Sequence, residues 1–477
     1  MRTFPSFIGG QWLDGPTLHQ VTSPYDGSPV GAVHVADASH IEAALAAARK
    51  AREPMAALPA HRRRAILDQV AAQLRLHRAE FAKLLSREAG KPIDLAMAEV
   101  MRAEDVFTFA SDETGRHDEE ALDLGVASAG EGRYGVIRRF PVGVVAAITP
   151  FNFPLNLVAH KIAPAIAAGC PIIVKPSPHA PLSAFALAEL CCDAGLPSGG
   201  VNVVLCSTED ADPLVTDPRV HLLTFTGSVD VGWQLRSRAG KKRVVLELGG
   251  NAAVLVHADA DVKFAAARIA SGAFAYAGQS CISVQRVYVH RSQADALRDA
   301  LIRQVRDRVP TGSPDQTGVV CGPVIDTAAA DRLEAWTQEA VAAGARIIVG
   351  GGRTGNIIEP TVLEGVPHHV RIAAQEAFGP IVCVEAYHHL DDALHWVNDS
   401  PFGLQAGVFT DSLAVLWRAY ETLEVGAVIH NDVPTFRVDH MPYGGVKDSG
   451  VGREGPRDAI RDYTEPRLLA LRPFPPT

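Results

Sequence analysis

Cysteine is scarce and unpatterned in this chain: seven residues, at 170, 191, 192, 206, 281, 321 and 383, with no CxxC spacing. An odd count without that spacing argues against a disulfide framework and a zinc ribbon, and for a reducing compartment. No uninterrupted apolar run reaches the ~18 residues that a spanning helix needs. The best candidate, residues 143–159, is cut by Pro150, Asn152 and Pro154. The start, MRTFPSFIGGQWLDG, holds no apolar segment of signal-peptide length. No internal repeat or low-complexity tract is present, which removes solenoids and propellers. Nor is there a block of one charge, since 45 Lys+Arg and 54 Asp+Glu give −9 spread along the chain. That balance argues against nucleic acid or a membrane surface as the main partner. The expectation is a soluble cytoplasmic protein with no metal site.

What is present is ample material for a core. The 477 residues are 47% hydrophobic and 21% charged, and at roughly 150 residues per domain they amount to about three domain-sized units. Residues 38–52 are Ala-rich and helix-favouring. Residues 61–89 carry apolar positions at helical spacing (Ile66, Leu67, Val70, Leu74, Phe81, Leu84, Leu85) up to Gly90, a natural stop. A third helix follows Pro92 through about Asp112. Residues 118–141 change character, an acidic piece leading into an extended EGRYGVIRRFPVG. Then strands at 144–148, 172–174, 201–205, 222–225 and 244–248 alternate with helices at 154–168 and 182–194. Near-continuous apolar strands separated by helices predict a parallel α/β sheet covered on both faces. The alternation repeats over 251–430, with strands at 253–256, 287–289 and 346–349, which predicts a second α/β domain. The extended runs at 133–140 and 467–473 are too short to stand alone. They read as an oligomerisation element, or else as an edge strand within the chain.

Several residues could carry chemistry. Cys281, in AGQSCIS, has small polar neighbours that suit an approachable nucleophile, although a cysteine taken alone reads equally as a buried structural thiol. Glu247 stands inside the apolar run VVLELGGN, where desolvation would raise its pKa toward that of a general base. The alternative is a carboxylate satisfied by a backbone amide at the strand end. Asn152, in TPFNFP, falls at the carboxyl edge of a parallel sheet, where its amide could face a developing oxyanion or simply cap a turn. FTGSVDVG is a strand-to-helix turn whose free amides suit a pyrophosphate, and Lys175 ends the strand in IIVKPS within reach of a ribose or phosphate.

In this order TPFNFP, IIVKPS, FTGSVDVG, LELGGN, GQSC, EAFGP and PYGGVKDSGVGREG resemble the aldehyde dehydrogenase superfamily, over about residues 5–472. The resemblance implies an α/β fold with a Rossmann-like dinucleotide-binding domain (1–117 and 142–248), an α/β catalytic domain (249–455) and a small β-arm for oligomerisation (118–141 and 456–477). It implies Cys281 as nucleophile, Glu247 as base, and Asn152 with the Cys281 N–H as oxyanion hole. Thr149, Pro150, Phe151, Lys175, Ser177, Pro178, Gly227, Ser228, Leu248, Glu376 and Phe378 match cofactor contacts. Lys161 and Glu454 match residues beside the active site, with Glu454 as a proton-relay partner of Glu247. The implied cofactor is NAD or NADP and the implied assembly a homodimer or homotetramer.

Two departures bear on specificity. NAD-preferring relatives often carry Glu where this chain has Pro178, and its loss removes repulsion against a 2′-phosphate. Ser280 stands before the nucleophile, where Arg or another large residue is common. Arg102, Phe153, Ser280, Arg437 and His440 are the expected substrate contacts, and the stretch HNDVPTFRVDHMPYGG resembles lactaldehyde, sulfolactaldehyde and phosphonoacetaldehyde dehydrogenases. The expected reaction is NAD(P)-dependent oxidation of a small, hydroxylated or anionic aldehyde to its acid through a thiohemiacetal and a thioester. Alternatives are a succinic-semialdehyde type of enzyme and, in another class, a cofactor-free cysteine esterase or acyl-transferase. Each arginine could equally make a surface or intersubunit salt bridge.

Overall fold

The computed structural model describes residues 2–116 and 119–472. The first expected strand, Val144–Ile148, is the centre of an eight-stranded sheet. Arg243–Glu247, Val220–Thr226, Val144–Ile148, Ile172–Lys175 and Val201–Val203 run parallel, in that order. Gly450–Val451 closes one edge antiparallel, and the hairpin Ser6–Ile8/Gln11–Leu13 closes the other. Both faces are covered, which explains why these strands read as unbroken apolar runs. Val145 and Ala147 point into one core and Val144 and Ala146 into the other, as the two-residue period demands. Gly450–Val451 comes from the stretch expected in the catalytic domain, so the C-terminal part of that stretch also completes this sheet.

A second sheet orders Arg346–Val349, Thr361–Glu364, Ile381–Tyr387, Val284–His290, Ala252–Val256, Gln405–Phe409 and Ala427–His430. It is parallel except at Arg346–Val349. Val254 and Val256 face one core, Ala253 and Leu255 the other.

The helical expectation over 61–89 resolves into two helices, Ala60–Leu76 and Arg78–Ala89. His77 (φ −98°, ψ 17°) interrupts the ladder, and its carbonyl restarts it by accepting from the Glu80 and Phe81 amides. The apolar stripe carries across this break, so periodicity alone does not reveal it. Gly90 ends the second helix in the left-handed conformation, φ 66°. Ile93–Glu113 follows, with Glu99 and Arg102 three residues apart on one face. Asn156–Ala168 is buried all round, which matches its apolar composition and puts Asn156, His160 and Lys161 in the interior.

The two extended runs pair with each other. Thr464–Leu471 lies antiparallel to Tyr134–Pro141 over its full length, and Glu119–Asp123 pairs on the other side. Thus the intrachain partner exists, while Leu468, Leu469 and Leu471 stay exposed on the outer strand. Residues 118 and 473–477 of the expected arm segments, and 117 at the end of the expected segment 1–117, lie outside the described residues.

Candidate active site

A cavity of about 520 Å3 opens where the carboxyl ends of the first sheet meet the loop before Val284–His290. Cys281 lines it, at the end of an unusual backbone path. Tyr276, Ala277 and Gly278 are all left-handed (φ 54°, 53° and 66°), and the two non-glycine residues store strain of about 1–2 kcal/mol each. The surroundings hold this path in place. The Tyr276 hydroxyl donates to the Ala89 carbonyl, and the Gln279 side chain donates to Tyr276 and Pro323 carbonyls while accepting from the Ile325 amide. A Cβ on Gly278 would lie 2.3 Å from the Gly379 carbonyl oxygen, and one on Gly250 would lie 2.2 Å from the Cys281 carbonyl oxygen. The nucleophile loop is therefore wedged between two glycine approaches.

Asn152 lines the same cavity from the turn after Val144–Ile148. Its Nδ2 donates one N–H to the Gln279 carbonyl at 3.1 Å, which ties the amide to the cysteine loop and leaves the other N–H available. Glu247 ends Arg243–Glu247, buried at 3% exposure, and neither carboxyl oxygen has a hydrogen-bond partner among the described residues. Burial first, and then the Glu454 carboxylate, push its pKa well above the ordinary carboxylate value. Burial also pushes Glu454 up, but Lys161, His160 and Arg437 outweigh it and hold that carboxyl below the usual range. The contacts are direct: Lys161 Nζ donates to Glu454 Oε1 at 2.8 Å and Arg437 Nη2 to Oε2 at 2.7 Å. Two buried carboxyls thus have opposite protonation tendencies, the pattern expected of an acid–base site.

Cations crowd the far wall, each already paired. Arg102 spends Nε and Nη2 on Asp439, both at 2.8 Å. Asp439 also accepts from Asn156 Nδ2 (3.2 Å) and His160 Nε2 (2.8 Å). Lys91 bonds Glu99 and lies 3.7 Å from the Phe153 ring centroid. Arg268 pairs with Asp432 through Nε (2.7 Å). Arg437 Nε is buried 3.9 Å from Asp439 Oδ1 without a hydrogen bond among the described residues, and the guanidinium stacks 3.8 Å from the centroid of Tyr443. The Tyr443 hydroxyl is 2.8 Å from Cys281 Sγ.

The same cavity is also lined by Pro150, Phe151, Gly227, Ser228, Leu248, Glu376 and Phe378. Ser228 caps the helix Val229–Arg238 without a side-chain cap bond, and buried Thr226 Oγ1 has no partner. Glu376 Oε1 accepts from the Gly250 amide at 2.9 Å, and a Cβ on Gly249 would lie 2.4 Å from Glu376 Oε2. Burial pushes the Glu376 carboxyl up to about 7. Phe378, itself left-handed at φ 49°, meets Phe151 edge-on at 5.9 Å. A helix N-terminus with unspent donors, a carboxylate for hydroxyls and an aromatic wall fit a dinucleotide.

Fifteen of the expected site residues therefore converge on one cavity: the seven just named with Cys281, Glu247, Asn152, Arg102, Phe153, Ser280, Arg437 and Glu454. Lys161 reaches it through Glu454. Thr149, Lys175, Ser177 and Pro178 do not line it. They sit at the next strand end, where the Thr149 amide donates to the Lys175 carbonyl and His19 Nε2 contacts the Pro178 carbonyl at 2.8 Å. Burial lowers the Lys175 pKa, and among the described residues no carboxylate pairs with it. His440 is exposed and packs edge-on against Phe109 at 4.9 Å, away from the cavity lining. The arginines' partners are intrachain carboxylates, Asp439 and Glu454. Sequence reasoning missed Tyr443, Asp439 and Lys91, although the first two lie inside the quoted stretch before GGVKDSG.

The model of the aldehyde dehydrogenase family matches residues 12–469. The chain belongs to that family. It is 40% identical over 472 residues to 3-sulfolactaldehyde dehydrogenase of Priestia aryabhattai, covering 99% of this chain and 98% of the relative. It is 39% identical to aspartate-semialdehyde dehydrogenase 1 of Pseudomonas canavaninivorans, covering 95% and 96%. Among solved structures, aldehyde dehydrogenase 21 from Physcomitrella patens in complex with the reaction product succinate superposes with a TM-score of 0.97 at 41% identity, covering 99% and 98%. The fold is the aldehyde dehydrogenase fold, and the activity is oxidation of an aldehyde with NAD or NADP.

Proposed function

We propose that this aldehyde dehydrogenase acts on a small aldehyde bearing a second, anionic group, a carboxylate or a sulfonate. The observation that carries the reading is the pair of guanidinium groups, Arg102 and Arg437, on the wall of the cavity that Cys281 lines. Each retains N–H donors beyond those spent on its carboxylate partner. The relatives named for sulfolactaldehyde and aspartate semialdehyde, and the neighbour holding succinate, all handle anions of this kind.

In the proposed mechanism Cys281 Sγ attacks the carbonyl carbon, and the oxyanion of the thiohemiacetal is received by the free Asn152 N–H and the Cys281 amide. The dinucleotide, when bound, supplies the acceptor for the two electrons that the substrate gives up. Gly227 and Ser228 would hold its phosphates, Glu376 a ribose, and Phe378 and Phe151 would meet its ring. Glu247 then takes a proton from water, the resulting hydroxide attacks the thioester carbonyl, and Cys281 leaves as thiolate. Glu454, held ionised by Lys161 and Arg437, keeps Glu247 basic by repulsion, and this supports an electrostatic role for it rather than the expected proton relay. Pro178 puts no carboxylate near the Lys175 and Ser177 edge, which supports use of NADP as well as NAD. The exposed leucines of Thr464–Leu471 support a homodimer or homotetramer built through the arm, and seven unpaired thiols suit a cytoplasmic location.

The test is a panel of succinic semialdehyde, sulfolactaldehyde, lactaldehyde and propionaldehyde with each dinucleotide, in the native chain and in Arg102→Gln. A charge-assisted hydrogen bond of about 1.5–3 kcal/mol predicts a loss of roughly ten- to hundredfold in kcat/KM, confined to the anionic aldehydes. Equal losses on neutral and anionic substrates would overturn the anion pocket.

A further inference from the structure

Burial pushes the Cys281 thiol up to about 12, and two of the charged groups facing it, Glu376 and Glu247, push it the same way as carboxylates. Opposing them are Arg437 and the hydroxyl of Tyr443. A thiol in that setting ionises poorly unless something donates to the sulfur. Tyr443 Oη is 2.8 Å from Sγ, and it is the sulfur's hydrogen-bond partner in the structure.

The tyrosine is built to stay there. Its amide donates to the Glu454 carbonyl at 2.9 Å, and the Glu454 amide donates back to its carbonyl. The ring is 3% exposed and packs with Ile282 and Leu404 beside the cysteine. The Arg437 guanidinium stands 3.8 Å from the ring centroid and is itself pinned by Glu454. A cation over a phenol ring withdraws electron density and makes the hydroxyl a better donor.

We propose that Tyr443 is a catalytic residue, a phenol whose hydroxyl donates to the sulfur of Cys281 and stabilises the thiolate that attacks the aldehyde. This rests on the reading of Cys281 as the nucleophile. The thiol proton leaves to water. A sulfur lone pair forms the bond to the carbonyl carbon, and the C=O π pair moves onto oxygen, where Asn152 meets it. Tyr443 keeps its own proton throughout, and its hydrogen bond weakens as the S–C bond forms. No oxidant or co-reactant is required for this step.

The experiment is alkylation of the full-length enzyme by iodoacetamide over a pH series, with modification of Cys281 followed by peptide mass spectrometry. In Tyr443→Phe the midpoint for alkylation moves up by about one unit, and the rate at neutral pH falls about tenfold, equivalent to about 1.36 kcal/mol. Dinucleotide binding and the melting temperature serve as controls for the fold. With 3-fluorotyrosine placed at position 443, the phenol is more acidic at nearly unchanged shape, and the midpoint moves down. If Tyr443→Phe does not fold, the fluorotyrosine enzyme alone decides. Midpoints that stay at the native value in the folded variants overturn the role of Tyr443. If native enzyme alkylated at Cys281 instead keeps its dehydrogenase activity, the nucleophile assignment fails rather than the assignment of Tyr443.

Discussion

Replacing Glu247 by Gln separates the two halves of the proposed reaction. The carboxyl is 3% exposed and makes no hydrogen bond among the described residues, so the amide replaces it without stranding a partner. Nor does the change remove stabilising charge: the group's raised pKa means that ionising it in the folded state is unfavourable. The fold should therefore be as stable as the native one, or more so at high pH. General-base catalysis contributes about 10²–10⁴-fold, or roughly 2.7–5.5 kcal/mol of barrier. That loss should fall on thioester hydrolysis and spare acylation. Stopped-flow absorbance of reduced nicotinamide should show one equivalent per active site released in a burst, followed by a steady state slower by about 10²–10⁴-fold. Intact-mass measurement should show the accumulated acyl-enzyme. The pH dependence follows from the direction of the shift. Glu247 works as a base only when deprotonated, so native hydrolysis should climb as pH rises through a value well above the ordinary carboxylate range. In the Gln variant that climb disappears. A normal steady-state rate would remove Glu247 from the base role, and loss of the burst would move its action ahead of the thioester.

Two further outcomes test the setting of the site. Gly250→Ala puts a Cβ 2.2 Å from the Cys281 carbonyl oxygen, which forces the nucleophile loop to move. A displacement of about 1 Å costs about a hundredfold in rate, so the single-turnover burst should slow by that order, and an unchanged burst would show that the loop yields freely. In the arm, Leu468 and Leu469 are 51% and 57% exposed on the outer strand. If the proposed oligomer forms through the arm, the double change Leu468→Lys with Leu469→Lys should lower the sedimentation coefficient of the native chain to that of a monomer, and an unaltered coefficient would remove the arm from the interface.

Much of the architecture is legible in the sequence because a parallel sheet buried on both faces leaves an unmistakable trace. Val144–Ile148 and Arg346–Val349 match the expected spans, and most of the other strands differ by one to three residues at an end. What escapes is whatever depends on a distant partner. The break at His77 is invisible because the apolar stripe continues through it. The pairing of Tyr134–Pro141 with Thr464–Leu471 joins segments far apart in sequence, so each alone reads only as an unpaired strand. Glu247 stands out since a carboxylate in an apolar strand is anomalous by itself. Tyr443 does not, as an aromatic in a Pro–Gly turn has no period to violate, and the sulfur it meets is far upstream. His440 is expected as a substrate contact from the resemblance of its stretch, but the backbone turns Arg437 and Asp439 inward and His440 out to solvent.

The charges around the cavity explain why one group among so many is left reactive. Lys91, Arg102, Arg268 and Arg437 each have a carboxylate within bonding distance, in Glu99, Asp439, Asp432 and Glu454. Such pairing keeps the cations charged and fixes their orientation, while a substrate anion is not met by a bare, strongly hydrated ammonium. The proposed anionic substrate has instead to use the donors left over, the unspent Nη1 groups of Arg102 and Arg437. Those donors are held by rigid forks on a buried frame, and this favours discrimination by position over affinity from charge alone. Glu247 and Glu376 are the cavity carboxyls that this pairing omits, and of the two Glu376 accepts the Gly250 amide while Glu247 accepts nothing among the described residues. With no cation bonded to it and Glu454 repelling it, Glu247 has its burial offset only at a distance by Lys161, Arg437 and Arg453, and the net rise is what makes it basic enough to take a proton from water.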